Sequence, residues 1–95
     1  MTSDQAWEDR VARLWESIDA HTDEQFVAEM ERLAAELPQD DPRALFERAC
    51  AKDSTGHSDG AVPLYDRALK AGLEGIRRRR AVIQMASSLR NLGNS

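Results

Sequence analysis

One short pattern occurs twice in this chain, and the distance between its copies restricts the fold more than any other feature. Ala44-Leu45-Phe46-Glu47-Arg48-Ala49, closed by Gly56, is echoed by Ala81-Val82-Ile83-Gln84-Met85-Ala86, closed by Gly93, and each matching pair stands 37 residues apart. A period of this length holds one helix–turn–helix. Such a unit cannot bury its apolar face alone, but neighbours stacked on one another share a continuous core. No segment alternates with period two, so the expected class is all-α.

The segment between the copies carries a second signal. Gly56-His57-Ser58-Asp59-Gly60-Ala61-Val62-Pro63-Leu64-Tyr65-Asp66-Arg67-Ala68-Leu69 sets a turn glycine ahead of Ala61, Tyr65 and Ala68-Leu69 at helical spacing. That arrangement resembles the second helix of a tetratricopeptide repeat. The likeness spans roughly the C-terminal half, through Ala68-Leu69-Lys70-Ala71-Gly72-Leu73 and Ala86-Ser87-Ser88-Leu89-Arg90-Asn91-Leu92-Gly93, and is similar to small bacterial proteins of that family. It implies antiparallel helix pairs in a right-handed superhelix of about five helices. Ala49 and Ala61 would be the close-contact positions of the first unit, Leu45 and Tyr65 its larger packing residues, and Ala86 would take the Ala49 role in the second unit. Two departures stand out: the offset exceeds the usual ~34 residues, placing extra residues near Gly72-Leu73-Glu74-Gly75, and no proline closes the unit there. The sequence given stops at Asn94-Ser95, where the partner helix of the second unit would begin.

Ninety-five residues suit one domain with a single modest core. Its expected division is an N-terminal helical pair (1–41), a tetratricopeptide-like unit (42–75) and the first helix of a second unit (76–95). Cys50 is the only cysteine and cannot form an internal disulfide, which makes a reducing cytoplasm the expected setting. Met1-Thr2-Ser3-Asp4-Gln5 has neither the basic start nor the apolar stretch of a signal peptide. Charge is split along the chain. Residues 1–41 set three arginines against twelve carboxylates (net −9), and residues 42–95 set ten Lys/Arg against five carboxylates (net +5). Halves of opposite sign attract, within a chain or between chains.

In order, Trp7, Val11, Leu14 and Ile18 form one apolar stripe, widened by Trp15, on a first helix expected from Asp4 to Ala20. Thr22-Asp23-Glu24-Gln25 has the form of a capping box for a second helix running to about Leu37 and stopped by Pro38. Asp41-Pro42 starts a third helix with a capping acid and a proline at its first position. Ser58 or Asp59 caps the fourth, Gly72 ends it in a left-handed conformation, and the fifth runs from Gly75 to Leu92.

Features with chemical possibilities each have a plainer reading. Cys50 and His57 contain the residue types of a small cysteine hydrolase, but a lone Cys/His pair is a weak signal and a cysteine among apolar neighbours is often just a small hydrophobe. Ser54, His57 and Asp59 crowd one turn without implying triad geometry, since capping accounts for Ser54 and Asp59. His21 and His57 lack companions at metal-ligand spacing, and no cofactor motif is present. Arg77-Arg78-Arg79-Arg80, with Arg67, Lys70 and Arg90, offers a basic patch that a nucleic-acid-binding accessory protein would use. Four consecutive arginines on a helix point to all sides, however, and their place near a helix N-terminus calls for compensating carboxylates. With the whole chain acidic, this alternative is the weaker one.

The expected function is a non-enzymatic protein–protein interaction module, a scaffold or adaptor that takes a peptide or helix on its concave face. In the resembled family the first helix of each unit lines that face, which nominates Phe46, Cys50, Asp53, Ile83, Gln84, Ser87 and Arg90. Phe46 and Arg90 are the expected anchors, with Phe46 equally readable as core. Val82, Ile83, Met85, Ala86, Leu89 and Leu92 spread over more than one face of the fifth helix, so a homodimer through that helix, weakened by salt, is expected as well.

Overall fold

Helices in the expected order make up the computed structural model, which describes residues 4–93, and the side chains of 5–90 among them. They are α1 (Asp4–Glu16), a short 3-10 turn (Ile18–Ala20), α2 (Asp23–Ala34), α3 (Pro42–Ser54), α4 (Ser58–Lys70) and α5 (Gly75–Gly93), with no strand among the described residues. The expectations for the side chain of Leu92 and for Asn94-Ser95 fall outside that range.

Trp7, Val11 and Leu14 are buried as their spacing predicts, but α1 stops at Glu16 rather than Ala20. The amide of Ser17 is shared between the carbonyls of Arg13 and Leu14, and its hydroxyl donates back to Leu14 O at 3.0 Å. Such local bonding tightens the end of a helix into a 3-10 turn. In α2 the capping box is present in full: Gln25 N donates to Thr22 Oγ1 and Thr22 N to Gln25 Oε1. This helix also ends early, at Ala34 instead of Leu37. The amides of Glu36 and Leu37 bond three residues back, and Pro38 disfavours helical dihedrals at the residue before it. Trp7 Nε1 donates to Leu33 O at 2.8 Å, so α1 adds a second donor to a carbonyl in the last turn of α2 that also accepts from Glu36 N.

Asp41 caps α3 through a 2.9 Å bond from Arg43 N, with Pro42 at the first helical position. The cap expected for α4 is corrected. His57 occupies that position without a side-chain bond, while Ser58 and Asp59 lie inside the first turn and Ser58 Oγ donates to Asp53 Oδ1 instead. α4 continues through Pro63, whose missing N–H falls on an exposed side. Gly56 and Gly72 hold φ of 82° and 97°, a region other residues enter only with strain. Each lets the next amide close a loop onto a last-turn carbonyl, His57 N to Lys52 O and Leu73 N to Ala68 O. The second of these folds Leu73 back into the core.

Two apolar clusters form. Trp7, Val11, Leu14, Phe26, Met30 and Leu33 meet Ala51 between α1, α2 and α3. Leu45, Phe46, Ala49 and Cys50 meet Ala61, Leu64, Tyr65, Ala68, Leu73 and Ala81 between α3, α4 and α5. Trp15 touches both. Consecutive helices pack on one another and α5 also reaches α3, so α3 belongs to both clusters and is buried on nearly every side, as a central helix must be. Ala49 and Ala61 are fully buried in the second cluster. Ala86, their expected counterpart, is exposed, because no further helix of the described chain lies beyond α5.

Candidate functional site

The inner sides of α1, α3 and α5 enclose a groove of about 540 Å³, to which α4 adds Tyr65. α1 contributes Glu8, Val11, Ala12, Trp15 and Glu16, α3 contributes Phe46, Glu47, Cys50, Asp53 and Ser54, and α5 contributes Arg77, Arg80 and Gln84. Their spacing along each helix is three or four residues, which keeps them on one face.

One end of the groove is closed by an ionic cluster. Arg77 donates from Nη1 to Glu8 Oε2 at 2.8 Å and from Nε to Glu47 Oε2 at 3.1 Å, while Trp15 Nε1 donates to Glu47 Oε1 at 2.8 Å. The guanidinium also lies 5.8 Å from the centre of the Trp7 ring, and that of Arg43 lies 5.6 Å from it. The hydrogen bond from Arg77 holds the Glu8 carboxyl below its ordinary value, against the opposing effect of burial. Its bonds to the two carboxylates likewise push Arg77 itself further up. Arg77 is thus taken up by α1 and α3 and withdrawn from the basic patch. Arg78, Arg79 and Arg80 remain exposed.

Beside this cluster the groove floor is a hydroxyl–thiol network. Tyr65 Oη donates to Asp53 Oδ2 at 3.2 Å and approaches Cys50 Sγ at 3.6 Å, and Ser58 Oγ donates to Asp53 Oδ1 at 3.2 Å. Burial pushes the Cys50 thiol up to about 12 and raises the Tyr65 phenol as well. A cysteine in that environment is a neutral thiol at physiological pH, the opposite of an activated nucleophile. The ring of His57 bonds Thr55 Oγ1 at 3.0 Å and is exposed. Ser54, His57 and Asp59 share no hydrogen bond with one another among the described residues. Nor do three or more His, Cys, Asp or Glu side chains converge there as metal ligands.

Of the nominated residues, the fold brings Phe46, Cys50, Asp53 and Gln84 to the groove and leaves Ile83, Ser87 and Arg90 exposed elsewhere on α5. Phe46 forms wall rather than anchor. It is buried against Tyr65, ring centres 6.0 Å apart. Of the two expected anchors, Phe46 lines the groove from its wall and Arg90 does not line it. Ile83 shares the position of Phe46 in the repeat, but no helix of the described chain covers it as α4 covers Phe46. The wall supplied by α1 went unrecognised in the sequence. The one trace of it was the arginine run, whose position demanded carboxylates without saying whose.

Helix pairs stacked in chain order, with the first helix of each on a common concave side, define a helical-repeat protein. The chain belongs to the tetratricopeptide repeat family, whose family model (Tetratrico peptide repeat) matches residues 42–95. No curated protein and no solved structure matches it significantly. No described helix is long and apolar enough to cross a membrane.

Proposed function

We propose that this protein is a non-enzymatic interaction module whose concave groove, between α1, α3 and α5, receives a short segment of a partner protein. The groove itself carries the reading: three helices contribute to it, with Tyr65 of a fourth, and its open groups are of mixed kind. With Glu8, Glu47 and Arg77 paired among themselves and both Asp53 oxygens accepting from α4, the groups left for a ligand are Glu16, Ser54, Arg80 and Gln84, over the apolar surfaces of Val11, Ala12 and Trp15. A segment that combines a basic residue, an apolar residue and a carboxylate matches that set. Residues 1–41 act as an N-terminal pair whose first helix walls the groove, 42–75 as the complete unit and 76–95 as the first helix of the next. The single buried Cys50 suits a reducing compartment, in agreement with a cytoplasmic setting. Nucleic-acid binding is the weaker alternative, because Arg77 is already neutralised by two carboxylates and the groove it borders carries more acids than bases.

The test is site-specific photocrosslinking. A benzophenone residue at exposed Ala12, inside the groove, should capture a partner that the same probe at exposed Ala28 on α2 does not. An Arg80→Glu change should then weaken that partner by about tenfold, or ~1.4 kcal/mol, without altering the melting temperature. Crosslinks confined to Ala28, or unaltered affinity in Arg80→Glu, would refute the groove.

A further inference from the structure

The outer face of α5 differs from every other surface described. Leu45 is 1% exposed and its repeat counterpart Val82 is 48%; Phe46 is 2% exposed and its counterpart Ile83 is 61%. Sequence pattern is shared and burial is not, because α4 covers α3 at these positions and nothing described covers α5. Val82, Ala86 and Leu89 follow one another at helical spacing, with Arg79 and Arg90 on the same side. From this contrast we infer that the outer face of α5 docks an acidic amphipathic helix of a partner protein, seated as α4 sits on α3.

The α3–α4 contact specifies what such a helix must carry. Opposite Leu45 and Ala49, α4 presents Ala61, Leu64, Tyr65 and Ala68, small residues that allow close approach together with larger ones that fill the gaps. Asp53 on α3 accepts from two donors on α4, Ser58 Oγ and Tyr65 Oη. The residue in register with Asp53 on α5 is Arg90, which reverses the requirement: a donor on α5 needs acceptors on its partner. Arg79 and Arg90 border this face, and α5 carries no carboxylate. The complementary helix therefore combines an alanine-rich seam with Asp or Glu beside it.

A second copy of the chain fits poorly. Large exposed apolar side chains among the described residues are Ile76, Val82, Ile83 and Leu89, all on α5, so a second copy would match this face apolar to apolar with its own α5. Paired antiparallel about Ala86, Arg90 of one copy would come within about 5 Å, measured along the axis at ~1.5 Å per residue, of the position of Arg79 in the other. Paired parallel, each arginine would face its own counterpart. Either arrangement opposes like charges with no carboxylate on α5 to offset them. A partner helix of opposite charge meets this face without that repulsion.

The probe is a fluorescent peptide with the sequence of residues 58–73 carrying Pro63→Glu, Arg67→Glu and Lys70→Glu, titrated into the full chain by anisotropy. Saturable binding is expected, with helix gained by the peptide. Ala86→Gln and Arg90→Glu, both at exposed sites, should each weaken it about tenfold or more, and raising the salt several-fold should weaken it further. Absence of binding at about 100 µM, some ~5.5 kcal/mol, would overturn the inference. So would binding that Ala86→Gln leaves intact but the groove change Arg80→Glu abolishes. A protein that sediments alone as a dimer, and as a monomer once Ala86→Gln is introduced, would overturn it in favour of a second copy.

Discussion

Arg77→Met is the most informative single change in this molecule, since it keeps a long unbranched side chain and removes only the charged fork that ties three helices together. Without the guanidinium, α5 loses its bonds to Glu8 on α1 and to Glu47 on α3. Glu47 suffers most. Its side chain is 7% exposed, and Trp15 Nε1 would be its one remaining donor among the described residues. Stranding one member of a buried ion pair costs about 3–5 kcal/mol. Water reaches part of this cluster, the side chain of Arg77 being 23% exposed and that of Glu8 33%, so about 2–3 kcal/mol is the better expectation. In a domain this small, that lowers the melting midpoint on the order of 10–20 °C. Thermal unfolding followed by circular dichroism measures it, and adding Glu47→Gln to the variant should restore more than half of the loss by removing the stranded charge. The pH dependence supplies a second readout. Because Arg77 depresses the folded-state value of Glu8, the stability from that pair is present above the unfolded value of 4.5 and is lost as pH falls through the lower folded value. The wild type should therefore lose stability below about pH 4.5 more steeply than Arg77→Met. A variant melting within about 2 °C of the wild type, unaffected by Glu47→Gln, would show that the cluster holds nothing together.

Further expectations concern the core, the thiol and a turn. Ala49→Leu and Ala61→Leu, at fully buried positions, should each cost about 1–3 kcal/mol by overpacking, whereas Ala86→Leu at the exposed counterpart should change stability by less than about 0.5 kcal/mol; denaturant melts of the three compare them directly. Phe46→Ala should behave as a core truncation, losing about 3–5 kcal/mol, measured in the same way. With its thiol pushed up to about 12 by burial, Cys50 should resist iodoacetamide at neutral pH in the folded protein and react readily once denatured, as mass spectrometry would record. Gly72→Ala should destabilise by roughly 1–2 kcal/mol, because φ of 97° strains any side chain there.

Most of the fold was legible because its signals are local. Thr22-Asp23-Glu24-Gln25, Asp41-Pro42 and Gly72 act within one turn of the chain, and caps of this kind form in much the same way wherever their helix packs. Misjudged boundaries share a different cause. α1 ends at Glu16 because Ser17 bonds backward, and α2 ends at Ala34 where tight turns precede Pro38. Apolar periodicity continues past both points, through Ile18 and Leu37, and those two residues still pack against the core from outside their helices. Hydrophobic spacing therefore located the core-facing residues correctly while overstating the length of the helices that carry them.

The site was less legible, and the repeat itself explains why. A periodic pattern assigns equivalent positions, but an equivalent position has the same environment only if the same neighbours surround it. Phe46 and Ile83 stand 37 residues apart in one register, and Phe46 has α4 beside it whereas Ile83 faces open surface. Grouping them as one binding surface treated the array as uniform at a place where its neighbours change. The same step accounts for Asp53 and Arg90, one bonded to two hydroxyls of α4 and the other exposed. What the sequence could not carry was the third wall of the groove. Glu8 and Trp15 on α1 meet Glu47 and Arg77 through contacts 30 to 69 residues apart in the chain, and no spacing rule links charges over such separations. Only the surplus of arginines at the start of α5 hinted that carboxylates would be drawn there, and packing, rather than pattern, selected Glu8 and Glu47 from among the acids available.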